Sequence, residues 1–123
     1  MITDEVLRIA IKRLAEQFHP ERIILFGSHA RGTADEHSDV DFLVITELAV
    51  RENKLRMMME MDLALGGLGI AKDIVVLTPE EFEEDKDIPG TIARYAAKEG
   101  RLLYERKEKR HRKESDRLAA SRR

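Results

Sequence analysis

The chain has no cysteine among its 123 residues. That excludes a disulfide framework, a thiolate metal centre and a cysteine nucleophile, and fits the expectation of a cytoplasmic protein. No apolar run approaches the roughly 18 residues that a membrane span needs. The opening MITDEVLRIAIKRL begins acidic and turns amphipathic, unlike a secretory signal. There are no internal repeats and no Pro/Gly/Ser-rich linker, and the length suits one domain. None of the four histidines pairs with another at ligand spacing beside an acid, so no histidine metal site is expected. His29 and His37 are expected to face solvent.

Positive charge is scarce in the body of the chain. The formal net charge is −2, but Arg106 to Arg123 holds nine Lys/Arg against three Asp/Glu, leaving 13 basic against 21 acidic residues elsewhere. An acidic body with a basic tail is a poor platform for phosphate backbones, so nucleic acid is not the expected partner.

What is present reads as alternating helices and strands. Thr3 is placed to cap a helix running to about Phe18, with Asp4 and Glu5 in its first turn. Leu7, Ala10, Ile11, Leu14 and Phe18 recur at helical spacing, Ile2 and Leu7 suit a hydrophobic staple, and Pro20 ends the helix. RIILF (22–26) reads as a strand, GSHARG as a tight turn into a short helix, and TADEHS (33–38) as a polar loop. DVDFLVIT (39–46) reads as a second strand. Its alternation puts Asp39, Asp41, Leu43 and Ile45 on one face and Val40, Phe42 and Val44 on the other. Residues 50–65 read as a helix, broken by GGLG (66–69). Of its Met57, Met58, Met59 and Met61, some are expected in the core, with an interface role as the alternative for the rest.

IAKDIVVL (70–77) reads as a third strand, with Asp73 in its first half. Thr78, Pro79 and Glu81 suit the cap, first residue and capping-box partner of the next helix. A further helix over 91–98 is stopped by Gly100, and RLLYE (101–105) is a last short strand or extended segment. The expected class is α/β: a small mixed β-sheet covered by helices over residues 1–105, followed by a basic tail, 106–123, helical or disordered.

Two acids one residue apart, at the start of a strand that must be buried, need an explanation. Asp39 and Asp41 share a face, with Cα atoms about 6.5 Å apart. They stay ionised together only if a cation offsets them. Oxygen ligands without sulfur suit Mg²⁺ or Mn²⁺. Asp73, on a strand expected to neighbour theirs, adds a third carboxylate. Three such groups can hold two ions about 3.5–4 Å apart for phosphoryl transfer. Gly27 and Ser28 open a helix directly after a strand, which suits a phosphate cradle, and Arg31 stands close enough to add charge or pin the loop.

The run GSHARG, with ten residues between Ser28 and Asp39, then DVDFLV, resembles the signature of the DNA polymerase beta-like nucleotidyltransferases. It is similar in particular to the minimal nucleotidyltransferases. KDIVVLTPEEF resembles that family's third-carboxylate strand and following helix, and IPGTIARYAAKEGRLLYE its C-terminal end, so the resemblance covers most of residues 20–105. It implies that Gly27 and Ser28 hold nucleotide phosphates, with Arg31 beside them. Asp39, Asp41 and Asp73 would bind two Mg²⁺, and Asp73 would also serve as general base. It implies ATP as the substrate, and AMP transfer to a hydroxyl with release of pyrophosphate. Many minimal nucleotidyltransferases are antitoxins that modify a tyrosine of a HEPN-family RNase toxin, which makes such a toxin the expected partner. Two alternatives stand beside this: an antitoxin that binds without catalysis, and a small-molecule nucleotidyltransferase of the aminoglycoside-modifying type.

Overall fold

The computed structural model describes residues 2–49 and 52–107. The chain forms a three-layer α/β arrangement in the order α1 (Asp4–Phe18), β1 (Arg22–Phe26), α2 (Ser28–Arg31), β2 (Val40–Ile45), α3 (Lys54–Ala64), β3 (Lys72–Leu77), α4 (Pro79–Asp85), α5 (Ile92–Glu99) and β4 (Arg101–Glu105). The expected segment 101–105 is therefore a strand. Most of the expected tail lies outside the described residues. Arg106 does not hang free: its N–H donates to the Glu21 carbonyl (2.9 Å) and its guanidinium to the His19 carbonyl (2.8 Å).

Local signals set the helix ends. Thr3 Oγ1 accepts from the Val6 N–H, and the chain leaves α1 through His19 in the left-handed region, just before Pro20. Ile2 packs against the core cluster that contains Leu7, as a staple requires. At α4 the capping box is complete: Thr78 Oγ1 accepts from the Glu81 N–H (3.1 Å), and Glu81 Oε1 accepts from the Thr78 N–H (2.8 Å). The other oxygen of Glu81 takes a 2.6 Å bond from Lys54 Nζ, tying the start of α3 to α4. This bond comes first among the causes that hold Glu81 below its ordinary pKa.

Several boundaries differ from expectation, three of them at the starts of elements near the acids and α3. α3 begins at Lys54 rather than 50, because Asn53 Oδ1 accepts from the N–H groups of Leu55 and Arg56 and caps the helix there. β2 starts at Val40, leaving Asp39 one residue outside, and β3 starts at Lys72 rather than 70. Some of the methionines belong to the core, as expected: Met61 is fully buried and Met57 and Met58 pack against the core cluster, while Met59 is exposed.

The sheet order is β3-β2-β1-β4. β1 runs antiparallel to β2 and β4, while β2 and β3 are parallel, joined by the α3 crossover. Central strands covered on both faces must be apolar nearly throughout, and β2 is buried at every position but Asp41. Val40, Phe42 and Val44 pack with Leu7, Leu14, Met61 and Leu65 of α1 and the α3 region. Leu43 and Ile45 pack with Phe82, Ala93 and Ala96 of α4 and α5. The predicted alternation of β2 is thus the one observed, and it assigns Asp41 to the α5 side of the sheet.

The capping box gives a stability prediction. Thr78→Ala should lower the free energy of unfolding by about 1 kcal/mol, read as a lower urea midpoint with unchanged slope.

Candidate active site

Two ladders meet at one row of residues. Phe26, the last residue of β1, is the register partner of Asp41. Asp41 is the register partner of Asp73 on β3. Residues paired across a ladder point to the same face, on strands about 4.8 Å apart. The alternation of β3 agrees, since Val75 and Leu77 pack on the α4–α5 side while Ile74 packs on the other. Two carboxylates therefore stand side by side at the open end of the sheet, and Asp39 lies exposed at the entry of the same strand.

The electrostatics record this crowding. Asp41 is raised above its ordinary pKa of 3.8, first by burial and then by the negative charges of Asp73 and Asp39; His29 and Arg31 oppose the shift. All three acids thus share one field, with two basic side chains beside it. His29 is a correction to the sequence reading. Rather than facing solvent, it is half-buried, with Nε2 3.3 Å from the Ser38 carbonyl. His37 is exposed, as expected.

Gly27 explains how the turn fits. Its φ is 78°, a left-handed value that favours glycine. A Cβ built at this position would overlap Asp41 Oδ2, so only glycine lets the turn press against the carboxylate. The Gly27 carbonyl accepts from the N–H groups of Ala30 and Arg31, both at 3.1 Å, which winds Ser28–Arg31 into one helical turn.

The turn opens into a cavity of about 840 Å³. Phe26, Gly27, Ser28, Arg31 and Asp41 line one side; Thr91, Arg94, Tyr95 and Lys98 line the other. Sequence reasoning passed over the α5 residues. Their readable signal is the i, i+4 spacing of Arg94 and Lys98 around Tyr95, opposite the buried Ala93 and Ala96. Asp73 lines a different hollow, of about 410 Å³ under α3, with Leu55, Met58, Met59, Leu63 and Ile74. The paired acids thus stand between two cavities of different character, one lined by several cations and one mainly apolar, with the Lys72–Asp62 ion pair at its wall.

Among the described residues, no three His, Cys, Asp or Glu close around a common point as a preformed metal cage. The donor chemistry still suits Mg²⁺. That ion binds through one or two carboxylates and completes its shell with water and substrate phosphates.

A family model for the nucleotidyltransferase domain matches residues 7–122. The chain belongs to this family. No curated protein matches it in sequence. Among solved structures, one from Sulfolobus solfataricus, described as a candidate nucleotidyltransferase, is similar at 23% identity and a TM-score of 0.60, over 85% of this chain and 81% of that one. A toxin–antitoxin structure with AMP-PNP is similar at 18% identity and a TM-score of 0.51, over 94% and 90% of the two chains. An MntA–HpeT toxin–antitoxin structure carrying two aspartate-to-glutamate substitutions is similar at 19% identity and a TM-score of 0.54, over 95% and 91%. At these identities the likeness establishes the nucleotidyltransferase fold.

Two predictions follow from the geometry. Gly27→Val should lose about 1 kcal/mol or more of stability from the positive φ alone and should displace Asp41; both are readable by urea unfolding and by the Asp41 side-chain NMR shift. For Asp41 the sign is opposite. A folded-state carboxyl pKa above the unfolded value means that ionisation costs stability. The penalty is absent below the unfolded value and fully present once the pH exceeds the folded one. In metal-free protein, Asp41→Asn should therefore raise the melting temperature at pH 7.5, with the gain shrinking as the pH falls toward the ordinary carboxyl range.

Proposed function

We propose that this nucleotidyltransferase moves AMP from ATP to a tyrosine hydroxyl of a HEPN-family RNase toxin, and so acts as its antitoxin. The observation that carries the reading is the Phe26–Asp41–Asp73 row with the Gly27–Ser28 turn pressed against it. The row brings together an acid pair and the turn expected to hold phosphates. Structural likeness to toxin–antitoxin complexes over more than nine-tenths of the chain supports a protein partner.

In this reading Gly27 and Ser28 receive the β- and γ-phosphates, and Arg31 offsets their charge. Asp39 and Asp41, with Asp73, would hold two Mg²⁺, or Mn²⁺ in their place. The bound ions would neutralise the triphosphate and make its α-phosphorus more electrophilic. The acceptor oxygen attacks that phosphorus, the bond to the oxygen bridging to the β-phosphate breaks, and pyrophosphate leaves. Asp73 takes the hydroxyl proton. The chain contributes position and electrostatics, with no covalent intermediate of its own.

The two cavities support a division of labour. Arg31, Arg94 and Lys98 give the larger one the charge that a triphosphate needs. The hollow beside Asp73 is rimmed by Leu55 and Leu63, 63% and 77% exposed, and suits an apolar protein surface better than a polycationic sugar.

The test is intact mass spectrometry of the toxin, incubated with this protein, ATP and Mg²⁺. The toxin should gain one or more AMP groups. Asp39→Asn or Asp41→Asn should slow transfer by on the order of 10² to 10³ or more. Undiminished transfer by either variant would contradict the assignment. Silencing of an unmodified toxin by the Asp41→Asn protein would instead indicate an antitoxin that acts by binding alone.

A further inference from the structure

Arg31 is an exposed residue at the end of a single helical turn. A long cationic side chain there is expected to sample many rotamers, and ordering it on a ligand costs entropy. Among the described residues its guanidinium makes no hydrogen bond or ion pair. What it does make is a cation–π contact, with Cζ 5.7 Å from the centroid of the Tyr95 ring. Tyr95 is itself braced: its ring meets Phe26 edge-on, with centroids 6.1 Å apart and planes 68° apart. Phe26 in turn is the ladder partner of Asp41. An unbroken series of contacts thus runs from the acid pair through β1 and α5 to a cation on the cavity wall.

An aromatic face restrains a guanidinium without using its five N–H donors. A salt bridge would occupy those donors and cancel the charge. Stacking leaves both available, which is the state required of a group that must receive an anion. Tyr95 is 37% exposed, so the aromatic body buries only part of itself, and the packing demand of the core falls instead on Ala93 and Ala96. Arg94 and Lys98 flank Tyr95 on the same cavity wall.

We propose that Tyr95 is a positioning residue: its ring holds the Arg31 guanidinium, donors free, against the β- and γ-phosphates of the bound nucleoside triphosphate. The proposal rests on the nucleotide-binding reading above. Tyr95 does not touch the reacting atoms. It lowers the cost of recruiting Arg31, and its effect is expected in nucleotide affinity and KM rather than in kcat.

The experiment is a double-mutant cycle on the full chain with Mg²⁺, reading the Kd of a non-hydrolysable ATP analogue by calorimetry. Arg31→Ala should weaken binding about tenfold. Tyr95→Leu should weaken it about fivefold. The double variant should be no weaker than Arg31→Ala alone, because without Arg31 the ring has nothing to hold. Tyr95→Phe keeps the aromatic face and should bind within twofold of the parent. The affinity for AMP, which lacks the outer phosphates, should be unchanged in all four variants. Additive losses in the double variant, or unchanged affinity in Tyr95→Leu, would overturn the proposal while leaving the nucleotide site standing. A parent protein that binds no ATP analogue would overturn both.

Discussion

Two carboxylates in register on adjacent parallel strands dictate much of this structure. Like charges about 4 Å apart repel by about 1 kcal/mol in water and about 4 kcal/mol near a protein surface. No neighbouring lysine or arginine forms an ion pair with Asp41 or Asp73 among the described residues. Burial raises the Asp41 pKa most, the charges of Asp73 and Asp39 add to it, and His29 and Arg31 relieve it only in part. The fold accepts this cost where a substrate would sit, at the end of the sheet that α4 and α5 leave open. A protein optimised for stability alone would put an apolar residue at position 41, as β2 does at each of its other positions. On the proposed function, the acids are one half of a site whose other half arrives with the substrate.

Much of the surrounding structure serves to hold that pair in register. β2 and β3 are parallel because α3 carries the chain back across the sheet, and Met61 and Leu65 fasten this crossover to the core. The α4 capping box and its bond to Lys54 fasten the layer that follows. Gly27 brings the β1–α2 turn against Asp41, where any side chain would force the two apart. The two hollows on either side of the pair differ in chemistry: cations line the one at Asp41, while mainly apolar side chains, with the Lys72–Asp62 pair, line the one at Asp73.

The sequence made the class, the element order and the three acids legible because each has a local cause. Alternation in DVDFLVIT assigned faces that the two core clusters reproduce. Caps at Thr3 and Thr78 marked helix starts that the hydrogen bonds bear out. The start of α3 was misplaced because Asn53 was overlooked as a cap. His29 was misread because its bond to the Ser38 carbonyl depends on the path of the 33–38 loop, which no periodicity specifies. Register was beyond reach: nothing local says that Asp73 pairs with Asp41 rather than with a residue two positions away. The spacing of Arg94, Tyr95 and Lys98 shows an outward face of α5 but not what it meets, since Tyr95 reaches Arg31 and Phe26 only through tertiary packing.

On the proposed function, Asp41 and Asp73 form a site completed jointly by a divalent cation and nucleotide phosphate. The most direct measurement of this is the melting temperature with Mg²⁺ alone, a non-hydrolysable ATP analogue alone with chelator, and both together. The account predicts that the two together stabilise the protein by more than the sum of their separate effects, and that Asp73→Asn abolishes the excess. Equal stabilisation by the nucleotide with and without Mg²⁺, or an excess that survives in Asp73→Asn, would contradict it.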